Sequence, residues 1–237
     1  MDVEYFLKER TKFIRYFYDN GVVGFREILR QIDEQEEPFV PPYSEDGEPP
    51  FVAEYMDATY GIGAVGVAAL SMLSDTLKVF FMTWEKLLGI EFPADWRKRF
   101  KKEGFVAVYR DAFGQIAKDD WATCPVNFDV IEQVVLARND AQHGKHLHEF
   151  QPSHSTKTIE KYSPPLFVTE YEKGAAKEEI RGFAGVDITI SREDLWTAIE
   201  QVEMLAGWME LRLQAVRFPH GAEAQKLAAI RAASEQG

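Results

Sequence analysis

Apolar positions recur at alternating steps of three and four residues in two long segments of the chain. The first repeat runs through Thr59, Gly63, Gly66, Leu70, Leu73, Leu77, Phe80, Trp84 and Leu87. The second runs through Leu195, Ile199, Val202, Ala206, Met209, Leu213 and Val216. Seams with this period are typical of long amphipathic helices that pack at shallow crossing angles. The two segments therefore predict the long helices of a helical bundle.

Shorter helices are predicted between and before these two. Phe6 to Leu29 has helical spacing with a break near Asn20-Gly21, and Ala94 to Lys118 has it with an interruption at Gly104. The segment from Asp33 to Pro50 is rich in acidic residues and proline, so it predicts a loop. The last long helix is predicted to start at Ser191, which together with Asp194 resembles a capping box.

Two short segments alternate between apolar and polar residues in the manner of strands. They are Leu166 to Tyr171 and Val186 to Ile190, and they predict a β-hairpin inserted before the last long helix. The predicted fold class is mostly α, a helical bundle with this hairpin insertion. Residues 1–50 form an N-terminal helical segment and loop, 51–218 the bundle with its insertion at about 150–190, and 219–237 a helical tail.

Composition narrows the class of protein. The single cysteine, Cys124, excludes an internal disulfide, and the charged amino terminus lacks the apolar run of a secretion signal. The longest apolar stretch, Gly61 to Leu73, is too short to span a bilayer and predicts a buried helix. These features indicate a soluble cytoplasmic protein that does not bind a membrane.

The net charge of −12 disfavours a large, salt-sensitive nucleic-acid surface but leaves room for a local basic site. The densest basic cluster is the segment Trp96 to Lys102, which interleaves aromatic and basic residues. Such a run usually forms a solvated helix face. Contact with RNA is the alternative.

Gly61, Gly63 and Gly66 spell the G-x-G-x-x-G pattern of dinucleotide-binding folds. That chemistry needs a strand before the glycines and a helix after them. The preceding residues lack strand character and the glycines continue a helical seam. We therefore interpret them as positions where another element approaches closely.

The segment from Val130 to Phe150 carries the most informative polar residues. The apolar stripe of the helix predicted over 127–143 continues onto Arg138 and Gln142, and an arginine on a packing face needs anions or acceptors around it. Asn139 and His143 are four residues apart and so share the adjacent face. Gly144 then occupies a position typical of a helix end.

The run Arg138-Asn139-Asp140-Ala141-Gln142-His143 resembles the R-N-x-x-x-H signature of the HEPN superfamily. In that family the signature also stands at the end of a helix within a helical bundle. The bundle from about Phe51 to Phe218 is similar to the family's domain in its order of helices. Lys145 stands where one toxin subgroup has a tyrosine.

The resemblance implies a metal-independent endoribonuclease that needs no cofactor, acting as a toxin or an antiphage-defence effector. It implies that two protomers join their motifs in one composite site, so a homodimer and an RNA substrate are expected, with an antitoxin or sensor protein as a further partner. Arg138 and His143 would be catalytic, with Asn139 orienting them. Asp140, Lys145 and His146 would contact the RNA.

Two other interpretations stay open. His143, His146, His148 and His154 are spaced so that histidine ligands could bind a metal, although no cysteine joins them. The bundle could also be HEPN-like but non-catalytic, binding a nucleotide, RNA or a partner protein.

Overall fold

The computed structural model describes residues 2–41, 49–119, 121–142, 150–175 and 185–234. Its helices are α1 (Val3–Gly21), α2 (Val23–Asp33), α3 (Val52–Leu88), α4 (Trp96–Glu103), α5 (Phe105–Ala117), α6 (Phe128–Ala141), α7 (Thr156–Lys161), α8 (Glu170–Lys173), α9 (Arg192–Arg217) and α10 (Ala222–Ser234). No residue in these ranges belongs to a named strand. The prediction of a mostly helical protein with the character of a bundle is confirmed.

Both predicted seams are buried where they are most apolar. On α3, the side chains of Leu70, Leu73, Leu77, Phe80 and Trp84 are at most 3% exposed. On α9, the seam from Leu195 to Leu213 is at most 1% exposed at every predicted position. Spacing alone thus located the faces on which the two longest helices pack.

Helix ends also follow the local chemistry. α1 ends at Gly21, and Gly104 separates α4 from α5 with a φ of 84°, a left-handed value that glycine adopts without steric cost. At the start of α9, the Ser191 hydroxyl accepts a hydrogen bond from the backbone N–H of Asp194 at 3.0 Å and donates one to its carboxylate at 2.7 Å. The first bond is the N-cap contact expected from the sequence, whereas the carboxylate accepts from the hydroxyl and not from the backbone N–H of Ser191 as it would in a full capping box.

The predicted β-hairpin is wrong for the residues that the structure describes. Phe167 and Val168 are both buried, so the first segment does not alternate between two faces. Thr169 then caps the short helix α8 in a capping box with Glu172. The first predicted strand is therefore a bend followed by a helical turn.

The second predicted strand is extended, but one backbone hydrogen bond, from the N–H of Thr189 to the carbonyl of Phe167 at 3.1 Å, joins it to the first, and its β-bridge lies elsewhere. Val186, Ile188 and Ile190 are buried and alternate with Asp187 and Thr189, which are more exposed. The N–H of Ile188 donates to the carbonyl of Pro152 at 2.8 Å, and the carbonyl of Val186 accepts from the N–H of His154 at 2.8 Å. The alternation predicts correctly which side chains are buried. The β-bridge of this segment, however, is an isolated one between Asp187 and Ser153.

The chain divides into two compact units. Unit 1 comprises Met1–Thr11, Leu73–Glu132 and Thr197–Gly237. Its core includes Phe81, Tyr109 and Phe113, whose ring centroids lie 5.1 to 6.0 Å apart. A nearly buried ion pair joins α9 to the segment after α5, since Arg212 Nε lies 2.9 Å from Asp119 Oδ2.

Unit 2 comprises Lys12–Met72 and Gln133–Trp196. Two glycines of the rejected dinucleotide motif lie at tight contacts here, inside the continuous helix α3. A Cβ at Gly61 would lie 2.4 Å from the ring of Phe25, and a Cβ at Gly66 would lie 2.8 Å from the Cβ of Ile190. The glycines therefore leave room for neighbouring side chains. The described residues that precede α3 contain no strand.

The apolar run predicted as a buried helix lies inside α3. By length and composition alone α3 could cross a membrane, but 50% of its most apolar window is buried within the structure. A core helix of a soluble protein has these same properties.

Candidate functional site

The end of helix α6 presents the polar residues singled out by the sequence. α6 begins after Asn127, whose side chain accepts a hydrogen bond from the N–H of Asp129 at 3.0 Å. Ile131, Val134 and Ala137 on its inner face are at most 1% exposed. This packing fixes the helix, so the residues of its last turn have defined positions.

Arg138 and Asn139 occupy that last turn. Arg138 is half-buried, Asn139 is exposed, and Arg138 Nη1 donates to Asn139 Oδ1 at 3.3 Å. The predicted stripe therefore reaches Arg138, but Gln142, its predicted continuation, is exposed. The helix ends at Ala141, and this end accounts for the exposure of Gln142.

Asp140 points to a different set of partners. Its Oδ2 atom accepts from the backbone N–H of Ser155 at 3.0 Å and from the Thr158 hydroxyl at 2.7 Å. The imidazole of His154 approaches the same oxygen at 3.9 Å, too far for a hydrogen bond. The carboxylate of Asp140 thus anchors the start of α7 and is largely occupied within the protein.

These partners set the charge of Asp140. Burial raises the pKa of this carboxyl group, but the neighbouring His154 ring and the hydrogen bonds from Ser155 and Thr158 outweigh it, so the pKa lies below its ordinary value. Asp140 is ionised at neutral pH. A buried negative charge with donors around it stabilises the contact between α6 and α7.

His154 is the one histidine of the proposed metal cluster within the described residues. Its side chain is 1% exposed, and Nε2 lies 3.0 Å from the carbonyl oxygen of Phe167. Because a carbonyl only accepts, Nε2 carries the hydrogen and is not available as a metal ligand in this arrangement. Among the described residues, no three side chains of His, Cys, Asp or Glu are grouped closely enough to hold a metal ion.

The remaining candidates, His143, Lys145, His146 and His148, lie outside the described residues. The expected joint catalytic role of Arg138 and His143 therefore stays a prediction. The hydrogen bond from Ser155 to Asp140 brings residues 140 and 155 together, close in sequence to Arg138 and Asn139.

Sequence reasoning missed the network of Asp140, His154, Ser155 and Thr158. One signal was present, because Ser155 and Thr158 have the spacing of a helix N-cap and its third residue, and the Ser155 hydroxyl accepts from the Thr158 N–H. Nothing in the spacing links that cap to Asp140, fifteen or more positions earlier.

Comparisons of the chain with protein-family models, with curated proteins and with solved structures gave no significant match.

Proposed function

We propose that this protein is a cytoplasmic, metal-independent endoribonuclease of the HEPN type, acting as a toxin or an antiphage-defence effector. The observation that supports this most directly is the pair Arg138–Asn139 in the last turn of α6, with His143 four residues after Asn139 in the sequence. The guanidinium and the amide are joined by a hydrogen bond and lie at the rim of the buried helix face.

The chemistry of RNA cleavage suits these residue types. Attack by the neighbouring 2′-hydroxyl requires that a proton leave that hydroxyl, that the 5′-oxygen leaving group gain one, and that the charge at phosphorus be stabilised. A histidine titrates near neutrality and can transfer these protons. A guanidinium is permanently charged and its planar fork matches two phosphoryl oxygens.

The contacts of Asp140 and Asn139 support a division of roles. Asn139 bonds to Arg138 and so holds the guanidinium in one orientation. Asp140 bonds to Ser155 and Thr158 and so holds the end of α6 against the start of α7. In the proposed enzyme Asp140 is therefore a positioning residue, while Lys145 and His146 contact the RNA backbone.

The test is cleavage of total RNA in the presence of EDTA. We expect the wild-type protein to cleave and to leave 2′,3′-cyclic phosphate ends, detected by mass spectrometry. His143→Ala and Arg138→Lys should each reduce the rate by about 10²- to 10⁴-fold, the usual effect of removing an acid–base group or a charge-stabilising fork.

Matched controls are available on the same chain. Arg10→Lys and His220→Ala change exposed residues in unit 1 and should cleave at the wild-type rate. Cleavage that stops in EDTA and returns with Zn²⁺ would overturn the proposal in favour of the histidine-cluster site. RNA binding without cleavage by the wild type would instead favour the non-catalytic HEPN-like alternative.

A further inference from the structure

Unit 1 contains an open cleft, remote in sequence from the motif at the end of α6. Its volume is about 970 Å³, at the upper end of the range for ligand sites. One wall is a face of α5 that presents Ala107, Arg110 and Gly114, and it continues onto Lys118, the C-cap of that helix. α9 and α10 supply the opposite cations, Arg212 and Arg231.

The lining is cationic in a protein whose net charge is −12. The charged residues that line the cleft are four cations and two carboxylates: Arg110, Lys118, Arg212 and Arg231 with Asp111 and Asp119. Both carboxylates already form ion pairs with arginine side chains. Asp111 Oδ2 lies 2.7 Å from Arg99 Nη1, and Asp119 Oδ2 lies 2.9 Å from Arg212 Nε and 3.6 Å from Arg231 Nη2. The negative charge in the cleft is therefore neutralised within the protein.

Arg110 and Lys118 are the cations left over. Within the part of the chain that the structure describes, neither makes an ion pair, and both side chains are exposed. The Arg110 guanidinium lies 4.0 Å from the centroid of the Phe128 ring, a cation–π contact that restrains its position. Two exposed cations that make no ion pair within the described residues are suited to an external anion.

Arg110 and Gly114 lie four residues apart on the same face of α5. Lys118 is the C-cap that follows α5, with a left-handed φ of 51°, and its backbone lies about 12 Å beyond that of Arg110 along the helix axis. A Cβ at Gly114 would lie 2.7 Å from Trp121 Nε1 and 3.0 Å from the carbonyl oxygen of Asp119. The glycine lets the indole ring pack directly against α5, where Trp121 also stacks on Trp208 at 4.7 Å.

We propose that this cleft binds a single strand of RNA, with the backbone phosphates of alternate nucleotides at Arg110 and Lys118 and the nucleosides beside Trp121. Two cations set apart along a groove match a repeating anion better than one compact phosphate. Aromatic and cationic walls are the features that bind single-stranded nucleic acid without reading its sequence. The inference rests on the proposed function in that RNA is the substrate of that enzyme.

Binding is measured separately from cleavage with a fluorescein-labelled 2′-O-methyl octauridylate, which lacks the attacking hydroxyl and stays intact. Arg110→Gln and Lys118→Gln should each weaken binding about tenfold at low salt, the loss of one charge-assisted phosphate contact. Each should also reduce the slope of log K against log salt by about 0.7. Arg110→Lys keeps the charge and should retain the wild-type slope.

Lys86→Gln is the matched control, because Lys86 is exposed in the last turn of α3 and does not line the cleft. If it weakens binding as much as Arg110→Gln, the attraction is diffuse and the cleft assignment is overturned. If the octauridylate does not bind while total RNA is still cleaved in EDTA, the cleft assignment fails and the proposed nuclease stands. Binding with the expected slope changes but no cleavage supports the cleft and removes the nuclease.

Discussion

The backbone N–H of Ser155 donates to the carboxylate of Asp140 at 3.0 Å. This bond joins the last turn of α6 to the first turn of α7 and also involves Thr158, whose hydroxyl bonds to the same oxygen at 2.7 Å. Asp140 follows Arg138 and Asn139 in the sequence, so its two hydrogen bonds hold the polar end of α6 in place.

Asp140→Asn should destabilise the protein at pH 7 by about 1–3 kcal/mol, because two hydrogen bonds lose a charged acceptor. The pKa of Asp140 is depressed in the folded state, so its stabilising contribution is present above the ordinary carboxyl pKa and is lost as the pH falls through the folded value. When the pH falls from 7 to below about 4, the free energy of unfolding should therefore decrease less for the variant than for the wild type. Urea unfolding at pH 3 and pH 7 measures this.

The control for that experiment is Asp57→Asn, which alters an exposed carboxylate on α3. It should leave the pH dependence of unfolding unchanged. If Asp140→Asn behaves like this control, the contacts at Ser155 and Thr158 do not stabilise the fold.

Replacing two nearby glycines of α3 by alanine should change the free energy of unfolding in opposite directions. Gly66→Ala would place a Cβ 2.8 Å from Ile190 and should cost about 1–3 kcal/mol through overpacking. Gly63→Ala meets only Gln151 Nε2 at 3.6 Å, an ordinary contact, so the higher helix propensity of alanine should add up to about 1 kcal/mol. Thermal or urea unfolding of the two variants compares them, and equal effects would contradict the packing at Ile190.

Glu210 should show the opposite pH dependence to Asp140. It lies half-buried on α9 and accepts from the N–H groups of Val3 and Glu4 at 3.4 and 3.2 Å, and burial is the main cause that raises its pKa above 4.5. A raised acid pKa means that stability is lost as the pH rises through the folded value. Glu210→Gln keeps an acceptor without the charge, so its stability relative to wild type should rise between pH 4 and pH 7.

The exposed residue Glu200 on the same helix provides the control for Glu210. Glu200→Gln should leave the difference in unfolding free energy between pH 4 and pH 7 as it is in wild type. A Glu210→Gln profile that matches the Glu200→Gln profile would show that burial at Glu210 does not affect its titration.

The proposed composite site predicts a homodimer in which two motifs share one RNA. Multi-angle light scattering at micromolar concentration should give twice the chain mass of 27.1 kDa. A monomer that still cleaves RNA would contradict the two-copy site. A monomer without activity, converted to an active dimer by higher concentration, would support it.

Helical periodicity predicted most of the fold because burial repeats along a helix. The seams through Leu70, Trp84, Leu195 and Leu213 were found in this way, and so was the break at Gly104. The hairpin prediction failed because alternation describes which side chains are buried and not which backbone they pair with. Val186, Ile188 and Ile190 alternate as a strand would, yet their segment bonds to residues 152 and 154.

The candidate site was predicted only in part, for a related reason. A six-residue signature located Arg138 and Asn139, since motif and helix end coincide in the sequence. The hydrogen bonds of Asp140 depend on a return of the chain after residue 150, which no local spacing encodes. The cleft for which RNA binding is proposed depends on three segments far apart in sequence, at α5, α9 and α10, so neither its charge nor its shape was visible in any one of them.

The contacts of Glu210 with Val3 and Glu4 have a consequence for the order of folding. These residues are more than 200 positions apart, yet they join within unit 1. During synthesis, the opening turn of α1 has only the bond from the N–H of Tyr5 to the Asp2 carboxylate, and the N–H groups of Val3 and Glu4 lack their acceptor until Glu210 has been made. Contacts of such long range slow folding, and they leave α1, with the exposed rings of Tyr5 and Phe6, open to misassociation on the ribosome.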